Sequence, residues 1–138
     1  MLNIKNHAIA ATAAMHIKDA GGEPMYNDGK PARIIFHSPG SKAYGIVESR
    51  QTARAVKRMN DNDGKLTAAT ADEKRAETAE DLTALTVGFE NFDLGEGGPQ
   101  GAALFEAVYS DPELVFITKQ SVKFLADTAN FKRGSAAS

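Results

Sequence analysis

Three histidines, His7, His16 and His37, are the first side chains to test for metal or proton chemistry. None stands four residues from a second ligand, so the helical zinc pattern does not occur. Gly-x-Ser-x-Gly is absent, which removes the strand–turn–helix nucleophile. There are no cysteines, so disulfides and thiolate metal sites are excluded. The glycine-rich stretch Leu94-Gly95-Glu96-Gly97-Gly98-Pro99-Gln100-Gly101 lacks the Lys-Ser/Thr end of a phosphate loop and follows no expected strand. Asn60-Asp61-Asn62-Asp63-Gly64 resembles part of a calcium loop. Its twelfth position, counted from Asp61, is Asp72 instead of glutamate, and the intervening ligand positions fail. No catalytic, cofactor-binding or metal-ligating residue is left to nominate, and the chain reads as an interaction protein.

Two charged runs remain. Arg50, Arg54, Lys57 and Arg58 fall on one side of a helix, a spacing that could meet phosphates. Net charge is −2 and no aromatics interleave the stripe, which argues against nucleic acid. Glu73, Glu77, Glu80 and Asp81 give a later helix an acidic first half, the arrangement of a solvated face. By segment, residues 1–60 carry +5, residues 61–97 carry −7 and residues 98–138 are neutral. The simplest arrangement has the basic and acidic segments facing each other, or water, within one fold. The alternative is that one of them meets a charged partner.

The elements that must position these charges follow from pattern. A length of 138 residues with 42% hydrophobic content fits one domain able to bury a core, expected over residues 1–133 with a disordered tail at 134–138. No apolar run approaches the ~18 residues that cross a bilayer. The Ala-rich start is too short in its apolar part for a secretory signal, so the protein is expected to work where it is made. Ala11 to Lys18 and Pro31 to His37 read as strands, with turns at Asp19-Ala20-Gly21-Gly22 and Asn27-Asp28-Gly29 between them.

Ser41 caps a helix to Asn60 that should bury Tyr44, Val47, Ala55, Val56 and Met59. Thr70 and Glu73 form a capping box, opening a helix expected to run from Ala71 to Phe92. A short helix covers Ala102–Tyr109. Asp111 (or Ser110, one residue earlier) caps a last helix, Pro112–Asn130. The fold expected is α+β: a small antiparallel sheet, its strands all N-terminal, packed with four helices. Leu82, Leu85, Phe89, Leu104, Phe105, Ile117, Phe124 and Leu125 should share one core.

Three pieces in this order resemble the tail assembly chaperones of long-tailed, siphovirus-type bacteriophages. The first is a strand unit ending in a Gly/Ser turn and passing at once into a helix, Phe36-His37-Ser38-Pro39-Gly40-Ser41. The second is an acidic helix closing on aromatic–Gly–aromatic sequence, from Glu80-Asp81-Leu82 through Val87-Gly88-Phe89-Glu90-Asn91-Phe92. The third is Gln120-Ser121-Val122-Lys123-Phe124-Leu125-Ala126-Asp127-Thr128-Ala129-Asn130-Phe131, similar to the family's Gln-Val, Phe, Asp and Asn-Phe pattern. The resemblance spans about residues 30–131. Phe89 stands where the family often has Trp, and Ser121 separates the Gln from the Val.

The resemblance implies a non-enzymatic, α-rich protein of the host cytoplasm, left out of the mature virion. It implies two partners, the tape measure protein, which it holds soluble, and the tail tube protein, which polymerises around it. It also implies a short form beside a frameshifted longer one. Self-association is a further possible contact. A structural virion protein of the tail or head–tail connection and a small nucleic-acid-binding regulator stay open as alternatives. For a helical client the expected surface is an exposed apolar patch built from Val115, Val122, Phe89 and Phe92, with Arg50, Arg54 and Arg58 as a charged rim. All four apolar residues could instead be core. Charge substitution at Arg54 and Arg58 is expected to weaken client binding while leaving thermal stability nearly unchanged.

Overall fold

Strand β4 (Arg33–His37) is the hub of the architecture. The computed structural model describes residues 1–62 and 69–133, so the expected tail and the end of the Asx-rich segment lie outside it. β4 pairs antiparallel with β1 (Thr12–His16) on one side and with β5 (Thr86–Glu90) on the other. Its side chains alternate as a half-covered strand requires: Ile34 and Phe36 are fully buried, while Arg33, Ile35 and His37 are half-buried. A separate hairpin of β2 (Tyr26–Asn27) and β3 (Lys30–Pro31) turns on Asp28 and Gly29. Both have positive φ, 51° and 76°, the left-handed pair that a two-residue hairpin demands.

Four helices cover the sheet: α1 (Lys42–Asp61), α2 (Ala71–Leu85), α3 (Ala102–Ser110) and α4 (Val115–Leu125). The fold is α+β, as expected. The caps are where the sequence puts them. Ser41 Oγ accepts from the Tyr44 amide, and the Thr70–Glu73 capping box closes in both directions. Asp111, not Ser110, caps the last helical segment, accepting from the Glu113 amide at 2.9 Å. That segment is not one helix to Asn130. A 3-10 turn at Pro112–Leu114 leads into α4, and a second at Thr128–Phe131 follows it, capped by Asp127. The Phe131 carbonyl then accepts from the Ala10 amide at 2.7 Å, tying the C-terminal turn to the approach to β1.

Helix α2 ends at Leu85, seven residues before the expected Phe92, and the chain enters β5, so the sheet is not wholly N-terminal. Leu82, Leu85, Phe89 and Phe92 keep helical spacing across the break, which hides it from periodicity. The energetic reason is distant in sequence: β4 would otherwise leave its backbone groups unpaired along one edge. Thr86 and Val87, β-branched, and Gly88 weaken the helix at that point. The register steps from Ile35 opposite Gly88 to Phe36 opposite Thr86, so Val87 bulges outward and is exposed. Asn91, at φ 63°, stops the strand and donates from Nδ2 to the Pro31 carbonyl.

The core joins Met15, Ile17, Ile34 and Phe36 of the sheet side to Leu82, Leu85, Val108, Tyr109, Ile117, Leu125 and Phe131. Of the expected core residues, Phe89, Phe105 and Phe124 pack against it only partly buried. A polar chain crosses its centre. The Tyr109 hydroxyl lies 2.7 Å from Thr86 Oγ1, which donates to the Leu82 carbonyl at 2.6 Å. Burial raises the Tyr109 phenol well above its ordinary value, and its bonds to Thr86 and Ser121 only partly offset this.

Candidate interaction surface

Helix α1 meets α2 through charge along most of its length. The arginines at positions 50, 54 and 58 are four apart and face the acidic stripe of α2. Arg54 Nη1 donates to both Asp81 oxygens, at 2.9 and 3.0 Å. Arg50 Nη2 lies 3.2 Å from Asp81 Oδ1, and Gln51 Nε2 donates to Asp81 Oδ2 at 3.0 Å. Arg58 pairs with Glu77 and, more loosely, with Glu73 at 3.8 Å. Glu80 Oε1 sits 3.2 Å from Arg50 Nε and 3.1 Å from Arg54 Nη2. Neither nitrogen makes a directed bond to the Glu80 carboxylate, which adds Coulombic attraction, while the Glu80 carbonyl accepts from Arg50 Nη2 at 3.3 Å. The basic and acidic segments therefore face each other within the fold.

Burial grades this zipper. Asp81 is only 8% exposed, whereas the Glu73 and Glu80 side chains are more than half exposed. Partial burial pulls the Arg54 guanidinium down, but the hydrogen bond and charge of Asp81, helped by Glu80, hold it above its ordinary value. At the far end, the hydrogen bonds from Thr70 hold the Glu73 carboxyl below its ordinary value.

Turning the arginines toward α2 turns the apolar residues of α1 away. Val47 is buried and Tyr44 half-buried, but Ala55, Val56 and Met59 are exposed, against expectation. The helix is amphipathic in two senses, and the acidic partner helix decides which face goes in. The same pairing overturns the expectation that charge substitution at Arg54 and Arg58 spares stability. Reversal at Arg54 would set a carboxylate against Asp81 and Glu80 in a partly buried site.

Where the zipper stops, toward the N-terminal end of α1, an open cleft of about 270 Å³ lies between α1, α2 and α4. Tyr44, Val47, Glu48 and Gln51 form one wall, Val122 and Ala126 the other, and Thr78, Asp81, Leu82, Leu85 and Leu125 line it between them. Val122 is 49% exposed and stands at its edge, and Val115, two turns earlier on the same face, is 44% exposed. Phe89 and Phe92 do not join them. They stack at 4.4 Å beside Phe105, a half-buried aromatic cluster at β5 and α3 that meets the buried Tyr109 ring. Arg50, Arg54 and Arg58 are occupied by α2.

Sequence reasoning missed Tyr44 and Glu48 as cleft residues, and it read Leu82 and Leu85 as core alone. The spacing of Tyr44, Val47 and Gln51 along one side of α1 is the signal that could have found that wall. His16 Nε2 is 2.8 Å from the Met25 carbonyl and its ring meets Tyr26 edge-on, while His7 is exposed. Among the described residues, no group of three His, Asp or Glu side chains is placed to hold a metal ion, and no helix is long and apolar enough to cross a membrane. No family model, curated protein or solved structure matches this chain.

Proposed function

We propose that the chain is a non-enzymatic tail assembly chaperone of a long-tailed phage. In this reading it works in the host cytoplasm, binds the tape measure protein and promotes assembly of the tail tube around it. The observation that carries the reading is the open, apolar-lined cleft between α1, α2 and α4, edged by the half-exposed Val122. A protein that shields a long helical client needs an apolar groove open to solvent, which accepts a helix face where a closed pocket would not. The sequence resemblance over about residues 30–131 supplies the client's identity. The engagement of Arg50, Arg54 and Arg58 with α2 weighs against the nucleic-acid alternative, because phosphates would have to displace carboxylates already in place.

The test is co-expression with the tape measure protein of the same phage. Tape measure protein should stay in the supernatant and co-purify with the chain, and should precipitate when expressed alone. Equal precipitation in both cultures would reject the proposal. Recovery of the chain from purified particles would favour a structural virion role. An overlapping reading frame near the stop codon would identify the chain as the short form of a frameshifted pair.

A further inference from the structure

β1 is an edge strand, and its outer edge is open over a defined stretch. The Ile17 amide donates to the Ala32 carbonyl, and the Ser38 amide to the Ala11 carbonyl. Bonding alternates along an antiparallel ladder, so Ala13 and Met15 turn their backbone groups to β4. Thr12, Ala14 and His16 turn theirs away, and among the described residues those groups have no hydrogen-bond partner. Both ends of the stretch are closed. At one end the Ala10 amide donates to the Phe131 carbonyl at 2.7 Å. At the other, the Gln120 side-chain amide holds Lys18 twice, accepting from its amide and donating to its carbonyl, each at 2.9 Å. Gln120 thus stands in for a neighbouring strand at Lys18, and the edge between is left unpaired. An open groove of about 520 Å³ lies against it, between β1 and α4. Met15 and Phe124 form its apolar part, and its charged residues are Lys18, Lys123 and Asp127. The Asp127 carboxylate accepts from the Ala129 amide at 3.0 Å. Lys18 and Lys123 take part in none of the ion pairs formed among the described residues.

We propose that the outer edge of β1 takes an extended, acidic segment of a partner protein as an added strand. Thr12, Ala14 and His16 exchange backbone hydrogen bonds with it, over a length of about five residues. Its carboxylates meet Lys18 and Lys123, and an apolar side chain lies on Met15 and Phe124. Charge selects this occupant over a second copy of the chain. A second copy would bring its own Lys18 and Lys123 to the same edge, and lysines at a sheet edge keep identical edges apart. The groove shares no lining residue with the cleft between α1, α2 and α4, so the inference does not rest on the chaperone reading.

The experiment uses the full chain and a labelled, end-blocked peptide, Thr-Glu-Thr-Val-Thr-Glu-Thr, followed by fluorescence anisotropy at low salt. Two derivatives are N-methylated, one at the Thr positions and one at the Glu and Val positions. In an added strand one set of amides faces β1 and the other faces away. One derivative should therefore lose about ten-fold or more in affinity while the other stays within about three-fold of the parent. Replacing both Glu by Lys should weaken binding roughly two- to five-fold for each charge. The double variant Lys18→Glu, Lys123→Glu should reverse that preference; both side chains are exposed, so melting should hardly change. Ala14→Pro removes an outward N–H and no bond to β4, and should weaken the parent peptide about ten-fold or more. If that variant melts early, the N-methylated pair on the wild-type chain decides. Equal binding of the two N-methylated derivatives, no preference for the acidic peptide, or no saturable binding overturns the inference. A wild-type chain that sediments as a dimer, and as a monomer once peptide is added, would give the edge to a second copy and overturn it as well.

Discussion

One guanidinium nitrogen of Arg54 lies within 3.0 Å of both carboxylate oxygens of Asp81, joining α1 to α2 at the most buried point of their contact. Arg50 and Gln51 converge on the same carboxylate. Removing Asp81 would leave two partly desolvated guanidinium groups with only the more exposed Glu80 carboxylate as counter-charge. Asp81→Ala should therefore cost about 2–4 kcal/mol, below the full penalty of a buried pair because the Arg54 side chain keeps 17% of its exposure. Glu80 touches the same arginines but its side chain is 55% exposed, so Glu80→Ala should cost less than ~1 kcal/mol. Urea unfolding of the two variants checks the ranking, and equal losses would mean that Asp81 holds no special place.

Phe124 contacts the rings of Phe36 and Phe131, at centroid distances of 5.8 and 5.5 Å. Full burial would put the cost of Phe124→Ala at ~3–5 kcal/mol. The ring is only partly buried, so about 2–3 kcal/mol is expected from denaturant unfolding. A loss below ~1 kcal/mol would show that the ring packs against nothing that matters, and would turn it into a partner-contact candidate.

What could be read in advance was what a few neighbouring residues decide. The Thr70–Glu73 box, the Ser41 cap, the Asp111 cap and the Asp28-Gly29 turn each close within four residues, so their hydrogen bonds are visible in the string. β5 was not legible, because its cause is the unpaired edge of Arg33–His37, some fifty residues earlier. The inward face of α1 was not legible either. Val56 and Met59 look like core until Asp81 and Glu77 are known to lie opposite Arg54 and Arg58 respectively. The cleft joins both failures, since it opens where charge pairing gives out and α1 reaches the core through Val47, fully buried, and Tyr44, partly buried. A helical wheel puts Val115 and Val122 on one stripe, but whether that stripe is surface or core is not decided by the sequence.

Tyr109 gives an alkaline signature. Its folded-state phenol is held above the ordinary value of 10.0 by burial, so ionisation is disfavoured in the fold and free in the unfolded chain. A group of this sign contributes fully below pH 10.0 and loses its contribution as pH climbs above that value toward the folded one. Stability should decline on that side. Tyr109→Phe should flatten the decline while costing about 1–2 kcal/mol at neutral pH, because Thr86 Oγ1 loses the hydroxyl 2.7 Å away. A wild-type profile that stays flat beyond pH 10 would exclude this tyrosine as a coupled group.

The graded burial of the α1–α2 zipper predicts how it opens in salt. At about 1 M salt the screening length falls to ~3 Å, which weakens exposed pairs far more than desolvated ones. Arg58 sits opposite Glu77 and Glu73, whose side chains are 30% and 53% exposed, while Arg54 sits opposite Asp81 at 11%. At the far end Val56 and Met59 face solvent. At the near end Val47 is buried and Tyr44 lines the cleft. Added salt should therefore loosen α1 from its C-terminal end inward. Hydrogen exchange should show amides of residues 55–61 losing protection at 1 M sodium chloride while those of residues 46–54 keep it. Loss of protection along the whole helix at once would mean that α1 is held as a single charge-dependent unit, and that the cleft beside Tyr44 and Val47 opens and closes with it.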